Sequence, residues 1–134
     1  MMTVLSRGVG LLLFFTIQYG ATAQSNNDDV RKRYIGCAAV LGVASTVAPD
    51  KKLQDNLLNA SMLLAVWARE LNTGQSAKDN AEHITRELGR QMTEIFRAIK
   101  VGTATETKEL ETQYGGELKA CTSLFAGEMK KRKT

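Results

Sequence analysis

RKRYIGCAAVLGVAS, residues 31–45, places one cysteine among glycines, alanines and other apolar residues, directly after three positive charges. In and around this stretch, candidate core positions recur at intervals of three and four residues, which places side chains on one face of an α-helix. These positions are Val30, Tyr34, Cys37, Leu41, Ser45 and Ala48. The spacing predicts a helix from about Asp28 to Ala48. Asn26 or Asn27 is its expected N-cap, and Pro49 ends it.

Three further segments downstream show the same periodicity. The expected N-caps are Asp50 for the second helix, Ser76 for the third and Thr103, as part of a capping box, for the fourth. Gly74 and Gly102 are the expected stops of the second and third helices. The three apolar stripes, in chain order, are Leu53, Leu57, Ala60, Leu64, Trp67 and Leu71; Ala77, Ala81, Ile84, Leu88, Met92, Ile95 and Ile99; and Leu110, Tyr114, Leu118, Cys121, Phe125 and Met129.

The connections between these four helices are short, which favours antiparallel neighbours. The sequence therefore predicts an all-α fold, an antiparallel four-helix bundle with up-down-up-down order, as a single domain over residues 24–134. Gly115 and Gly116 interrupt the fourth helix. Because the apolar stripe keeps its phase across them, they predict either a weakened or bent helix, or a close approach of another backbone.

The first 23 residues predict export. Arg7 precedes an apolar run from Val9 to Ile17, and Ala21-Thr22-Ala23 matches the small-x-small pattern that signal peptidases cut. The run has about half of the roughly 20 residues that span a bilayer, so a cleavable signal peptide over residues 1–23 is favoured over an uncleaved anchor. The predicted location is the periplasm if the source is a Gram-negative bacterium, and the exterior of the cell otherwise.

The two cysteines, Cys37 and Cys121, are predicted to form a disulfide between the first and fourth helices. In an antiparallel pair, both lie roughly 12–14 Å from the same end of the bundle at 1.5 Å per residue. An even cysteine count in an exported protein also favours a disulfide, and the Cys-x-x-Cys spacing of the alternative, a redox pair, is absent. Small residues near Cys37 would allow the two backbones to approach within about 7 Å. These small residues are Gly36, Ala38, Ala39 and Gly42.

Catalytic motifs are missing from the sequence. His83 is the one histidine and, with Glu87, offers at most two metal ligands, whereas structural zinc uses four. Nucleophile elbows, phosphate-binding glycine loops and the Cys-x-x-Cys-His haem motif do not occur. The acidic cluster of Glu106, Glu109 and Glu111 opens a helix, where the helix dipole favours negative charge. We therefore expect no enzyme, no catalytic residue, no metal site and no cofactor.

Positive charge is concentrated at two places in the predicted domain. The chain has 18 Lys and Arg against 14 Asp and Glu, and four of the basic residues are consecutive in the C-terminal tail, residues 130–134. The predicted disulfide brings this tail beside the basic start of the first helix. The resulting cluster, here called the basic pole, consists of Arg31, Lys32, Arg33, Lys130, Lys131, Arg132 and Lys133. Basic residues at a helix C-terminus are also favourable without any partner.

The functional hypothesis is a small exported protein-binding module without catalysis, such as an inhibitor, an immunity protein or an accessory protein of secretion or envelope assembly. Its basic pole would bind another envelope or secreted protein of acidic character, an anionic lipid or a cell-wall polymer. Nucleic acid is not an expected partner, because the excess charge lies in a tail. The alternative is a bundle that holds a cofactor such as haem, or a small apolar ligand, in its core. A hydrolase that uses carboxylates alone is a third hypothesis.

Overall fold

A computed structural model describes residues 8–71 and 73–133, with side chains from residue 26 onward. The described residues form four α-helices and no strand, which confirms the predicted all-α class. The helices are α1 Gly8–Val47, α2 Lys51–Glu70, α3 Ala77–Ala98 and α4 Glu106–Lys133. No helix within the described ranges is both long and apolar enough to cross a membrane.

The first helix starts well before the predicted position. Asn26 and Asn27 were expected to be N-caps, but both lie inside a continuous helix that begins at Gly8, so this prediction is wrong. No proline occurs between Gly8 and Asp28, and nothing else in the sequence blocks upstream propagation of the helix. The predicted signal peptide lies partly outside the described residues, and its cleavage after Ala23 stays a prediction.

The predicted caps of α2 and α3 are confirmed. The Asp50 carboxylate accepts a hydrogen bond from the Leu53 backbone N–H at 2.9 Å, and the Ser76 hydroxyl accepts one from the Asp79 N–H at 3.1 Å. These side chains satisfy backbone donors that have no partner within the helix. The connection after α2 also contains Gly74 at φ 84°, in the left-handed region that favours glycine.

The predicted capping box of α4 is wrong. Thr103 was expected to be the N-cap, but α4 begins at Glu106 and the Thr103 hydroxyl donates to the Lys100 carbonyl at 2.9 Å. The Glu106 carboxylate does reach back along the chain, where it accepts from the Gly102 N–H at 2.5 Å. The connection after α3 includes both Lys100 and Gly102 at positive φ, and this turn displaces the helix start to Glu106.

The segment Tyr34–Val47 of α1 forms the centre of the fold. All of its residues are buried except Gly36, which is half-buried, and Thr46, which is exposed. Only one stripe of this helix was expected to be buried, but the structure also buries Ile35, Ala38, Ala39, Val40, Val43, Ala44 and Val47. The reason is that α1 contacts each of the other three helices, so that little of this segment faces water.

Small residues of α1 bring α2 and α3 close to it. The Ser61 hydroxyl of α2 donates to the Ala38 carbonyl at 2.6 Å. A Cβ placed on Gly42 would lie 3.0 Å from Cε of Met92 on α3 and 3.1 Å from Oγ of Ser61. The small residues were expected to allow the approach of α4, but Ala38 and Gly42 instead allow that of α2 and α3.

The disulfide between Cys37 of α1 and Cys121 of α4 is confirmed. The two sulfur atoms are 2.08 Å apart, and the two Cα atoms are 5.2 Å apart. Nearer the start of α4, the Thr107 hydroxyl donates to the Val47 carbonyl of α1 at 2.8 Å. The disulfide and this hydrogen bond attach α4 to α1 at two separate levels.

The glycine pair of α4 lies within a continuous helix. α4 runs through Gly115 and Gly116 without interruption, and no heavy atom of the described residues outside the local helix lies within 4 Å of a Cβ added at either position. The prediction of a close backbone approach is therefore wrong. Because glycine loses more conformational entropy in a helix than other residues, the pair makes this part of α4 intrinsically weak.

Candidate functional site

Arg31, one of the seven residues of the basic pole, faces the protein interior and is only 6% exposed. One guanidinium nitrogen, Nη1, donates to Gln75 Oε1 and to Asn80 Oδ1, both at 2.7 Å, and to Thr73 Oγ1 at 3.3 Å. The other, Nη2, donates to the carboxylate of Asp28, one turn earlier on α1. Arg31 therefore fastens α1 to the connection between α2 and α3, and it does not belong to the exposed part of the pole.

One buried donor of Arg31, its Nε atom, lies outside this hydrogen-bond network. This atom has no hydrogen-bond partner among the residues that the structure describes, which costs free energy for a buried group. Asn80, itself buried, completes the network by donating to the Arg69 carbonyl at the end of α2 at 3.4 Å. The sequence contains one signal for this burial, since Asn80 lies four residues before the buried Ile84 on the same face of α3.

Arg132, a second residue of the basic pole, lies over the Trp67 ring of α2. Its guanidinium carbon is 4.3 Å from the ring centroid, the geometry of a cation–π contact. Its Nη1 is 3.1 Å from Glu70 Oε1, and its Nε is 3.4 Å from Glu128 Oε1. Arg132 thus attaches the end of α4 to the end of α2, and its charge is shared with two carboxylates.

Trp67 joins α1, α2 and α4. Its buried ring stacks on Phe125 of α4 at 5.6 Å between centroids and meets the edge of Tyr34 of α1 at 6.2 Å. Burial raises the pKa of the Tyr34 hydroxyl above its ordinary value, and the neighbouring Glu128 carboxylate raises it further. Tyr34 and Phe125 are both far from Trp67 in the sequence. The apolar periodicity that assigned Trp67 to the core-facing stripe of α2 therefore does not predict these contacts.

The contacts of Trp67 place the basic residues 31–33 of α1 and the basic end of α4 at the same level of the molecule. Lys32 and Arg33, next to Tyr34, are exposed, as are Lys130 and Lys133 around Arg132. The Lys32 ammonium lies 3.8 Å from the Asp28 carboxylate, a distance that leaves it largely solvated. Lys131 is exposed as well.

His83 lies in a small cavity with Lys32, Glu87 and Gln91. The Glu87 carboxylate accepts hydrogen bonds from Arg90 and, at 3.3 Å, from Gln91 Nε2. The bond from Arg90, followed by the bond from Gln91, lowers the pKa of Glu87 to about 2. At neutral pH the Glu87 carboxylate is therefore ionised and hydrogen-bonded to Arg90 and Gln91. It is a poor proton acceptor for chemistry at His83. In the described part of the chain, no group of three or more His, Cys, Asp or Glu residues is placed to hold a metal ion.

Two cavities of the described structure are grooves between helices. One groove of about 460 Å³ lies between α3 and α4, with Cys37, Val40 and Cys121 among its lining residues and Arg90 and Glu117 at its edges. An apolar groove of about 220 Å³ lies between α2 and α4. The most completely buried large side chains fill the space between the helices; they are Ile35, Leu41, Leu64, Ile99 and Val43.

The described surface exposes charged side chains, uncharged polar side chains and five large apolar side chains. No known protein family, characterised protein or solved structure matches this chain. Its function therefore has to be inferred from its own residues.

Proposed function

We propose that this protein is a small exported protein-binding module without catalysis, in the manner of an inhibitor, an immunity protein or an envelope or secretion accessory protein. The exposed cations of the basic pole are its contact surface, and its partner is an acidic envelope or secreted protein. The observation that carries the proposal is that Tyr34 and Arg132 contact the same Trp67 ring. These contacts bring the cations next to Tyr34 close to those next to Arg132, near the two ends of the mature chain.

The structure narrows the set of residues available to a partner. Arg31 and Arg132 hold helices together, while Lys32, Arg33, Lys130 and Lys133 are exposed. Exposed cations of one sign on one surface attract an acidic partner and accelerate its association, and salt weakens the attraction. The buried disulfide, at 7% and 4% exposure of its two cysteines, supports an oxidising compartment and hence the export that the sequence predicts.

The proposal includes an up-down-up-down order of the four helices. Three pairs of partners on α1 and α4 support it: Val47 with Thr107, Cys37 with Cys121, and Tyr34 with Arg132 through Trp67. In this series the residue numbers decrease along α1 and increase along α4, as they do in an antiparallel pair of helices. This order places the start of the mature α1 and the end of α4 at one pole.

Affinity capture from an envelope extract of the source organism tests the proposed surface. The oxidised protein, residues 24–134, is immobilised alongside a variant in which Arg33, Lys130 and Lys133 are each replaced by Glu. We expect a bound protein that elutes with rising salt from the wild type and is missing from the variant. The three introduced Glu side chains would repel an acidic partner, whereas neutral replacements would only weaken the attraction.

The matched control has the same net charge but changes cations elsewhere on the surface. Lys52→Glu, Arg86→Glu and Lys108→Glu alter three exposed residues of α2, α3 and α4 and should leave capture intact. Equal capture by both triple variants would show that the pole is not the contact surface. Binding of the wild type to vesicles with anionic phospholipid, with no protein captured, would overturn the protein partner in favour of a lipid.

A further inference from the structure

One face of α2 exposes three large apolar side chains in succession. Leu58, Met62 and Val66 are 47%, 56% and 37% exposed. Their spacing of four residues places them on one side of the helix, on three consecutive turns. Single exposed apolar residues are ordinary, but a continuous strip of them is typical of a surface that another molecule covers.

The strip has a charged residue of opposite sign near each end. Asp55 lies seven residues before Met62, and Arg69 lies seven residues after it. Seven residues are close to two full helical turns, so both charges lie on the same face as Met62. Asp55 forms an exposed ion pair with Lys51 at 2.9 Å, and replacing this partner by another cation costs little free energy. Arg69 is exposed and lines a groove together with Met62 and Val66.

This arrangement is complementary to itself. If two α2 helices run in opposite directions with Met62 against Met62, Leu58 of each copy faces Val66 of the other. Asp55 of each copy then faces Arg69 of the other, and the two-fold symmetry forms this charge pair twice. A parallel pairing in the same register would instead place like charges together. From this match we infer that the strip is the contact surface of a homodimer, with its two-fold axis at Met62.

Neighbouring residues leave room for the second copy. Ala65 has a small side chain beside the strip, and a Cβ placed on Gly89 of α3, in the groove that Met62 lines, would meet no atom within 4 Å. Met62 is unbranched and flexible, so two Met62 side chains can pack across the axis. The contact involves few residues on each copy, and we expect a dissociation constant on the order of micromolar.

Sedimentation equilibrium of oxidised residues 24–134 tests the dimer at concentrations below and above that value. Asp55→Arg places two positive charges opposite each other at both contacts, and Arg69→Asp does the same with negative charges. Each single variant should weaken the dimer at least about tenfold. The double variant Asp55→Arg/Arg69→Asp restores opposite charges and should recover dimerisation. An equimolar mixture of the two single variants should form a heterodimer for the same reason.

Glu111→Arg on α4, which makes the same change of charge at an exposed position away from the strip, is the control and should leave the dimer unchanged. Circular dichroism confirms that each variant is folded. A wild type that stays monomeric at every concentration would overturn the inference. A dimer that both single variants leave intact would also overturn it. The same holds if both single variants weaken the dimer but neither the double variant nor the equimolar mixture restores it.

Discussion

α1 and α4 are stabilised in different ways. From Tyr34 to Val47, α1 has almost no exposed side, because α2, α3 and α4 all pack on it. α4 has 28 residues but fully buries only Leu110 and Cys121. Burial of apolar surface is therefore the main stabilising term for α1, at about 25 cal/mol for each Å² removed from water.

α4 depends on a small number of strong attachments. These are the disulfide at Cys121, the hydrogen bond from Thr107 to α1, and the stack of Arg132 on Trp67. Helices with similarly regular apolar stripes in the sequence can therefore depend on packing to very different degrees. Matched substitutions in the two helices should therefore have different consequences.

Loss of the disulfide should produce the largest effect. Closure of a loop with a sequence separation of 84 residues restricts the unfolded chain, and the double variant Cys37→Ser/Cys121→Ser should lower the free energy of unfolding by about 4–5 kcal/mol. Urea denaturation followed by circular dichroism measures this change.

Hydrogen exchange in the same variant separates the two helices. Backbone amides of α4 should lose most of their protection, while those of Ile35–Val47 keep theirs, because packing on three sides remains. Wild-type protein treated with a reductant is the control and should behave like the variant. Equal loss of protection in α1 and α4 would contradict the comparison.

The two arginines offer a second contrast. Arg31→Ala should lower the free energy of unfolding by about 2–3 kcal/mol, because buried Asn80 loses a charged hydrogen-bond donor. Arg132→Ala should cost only about 1 kcal/mol, since its cation–π contact and ion pairs are partly solvated. Thermal and urea unfolding measure both values. Arg33→Ala is the control at an exposed site, and similar costs for all three variants would argue against the buried network.

Substitutions of glycine should change the free energy of unfolding with opposite signs in the two helices, and the change in α4 should be the smallest of all. Gly42→Leu in α1 forces Met92 and Ser61 aside and should lower the free energy of unfolding by about 1–3 kcal/mol. Gly115→Leu in α4 meets open space and replaces a poor helix former, so it should raise that free energy by about 0.5 kcal/mol. Urea denaturation of the two matched variants provides the measurement. A loss of stability at Gly115 would indicate a contact that the structure does not contain.

The features predicted correctly from the sequence are those that depend on nearby residues or on helical geometry. The caps at Asp50 and Ser76 follow from side chains three residues from their donors, and the Cys37–Cys121 pair follows from the rise per residue and the order of the helices. The all-round burial of α1 also has a signal in the sequence, since no charged residue lies between Arg33 and Asp50.

Other features depend on which distant residues meet. Arg31, Lys32 and Arg33 are consecutive and alike in charge, yet only Arg31 points toward Asn80 and the connection after α2. Helical rotation by about 100° per residue separates the three side chains, but without the partner helices it does not decide which one is covered. The start of α4 was missed for a related reason, because the turn at Lys100 and Gly102 displaces the cap.

The central position of α1 has a consequence for biosynthesis. Ribosomes produce Tyr34–Ala48 before any of the helices that cover it, and its last covering partner, the region of Cys121, is among the last to emerge. Until then the growing chain presents a long uncharged apolar segment to its surroundings, the kind of surface from which aggregation starts. A holding chaperone that protects this segment until synthesis ends would be an early requirement of the molecule, before any partner of the folded protein.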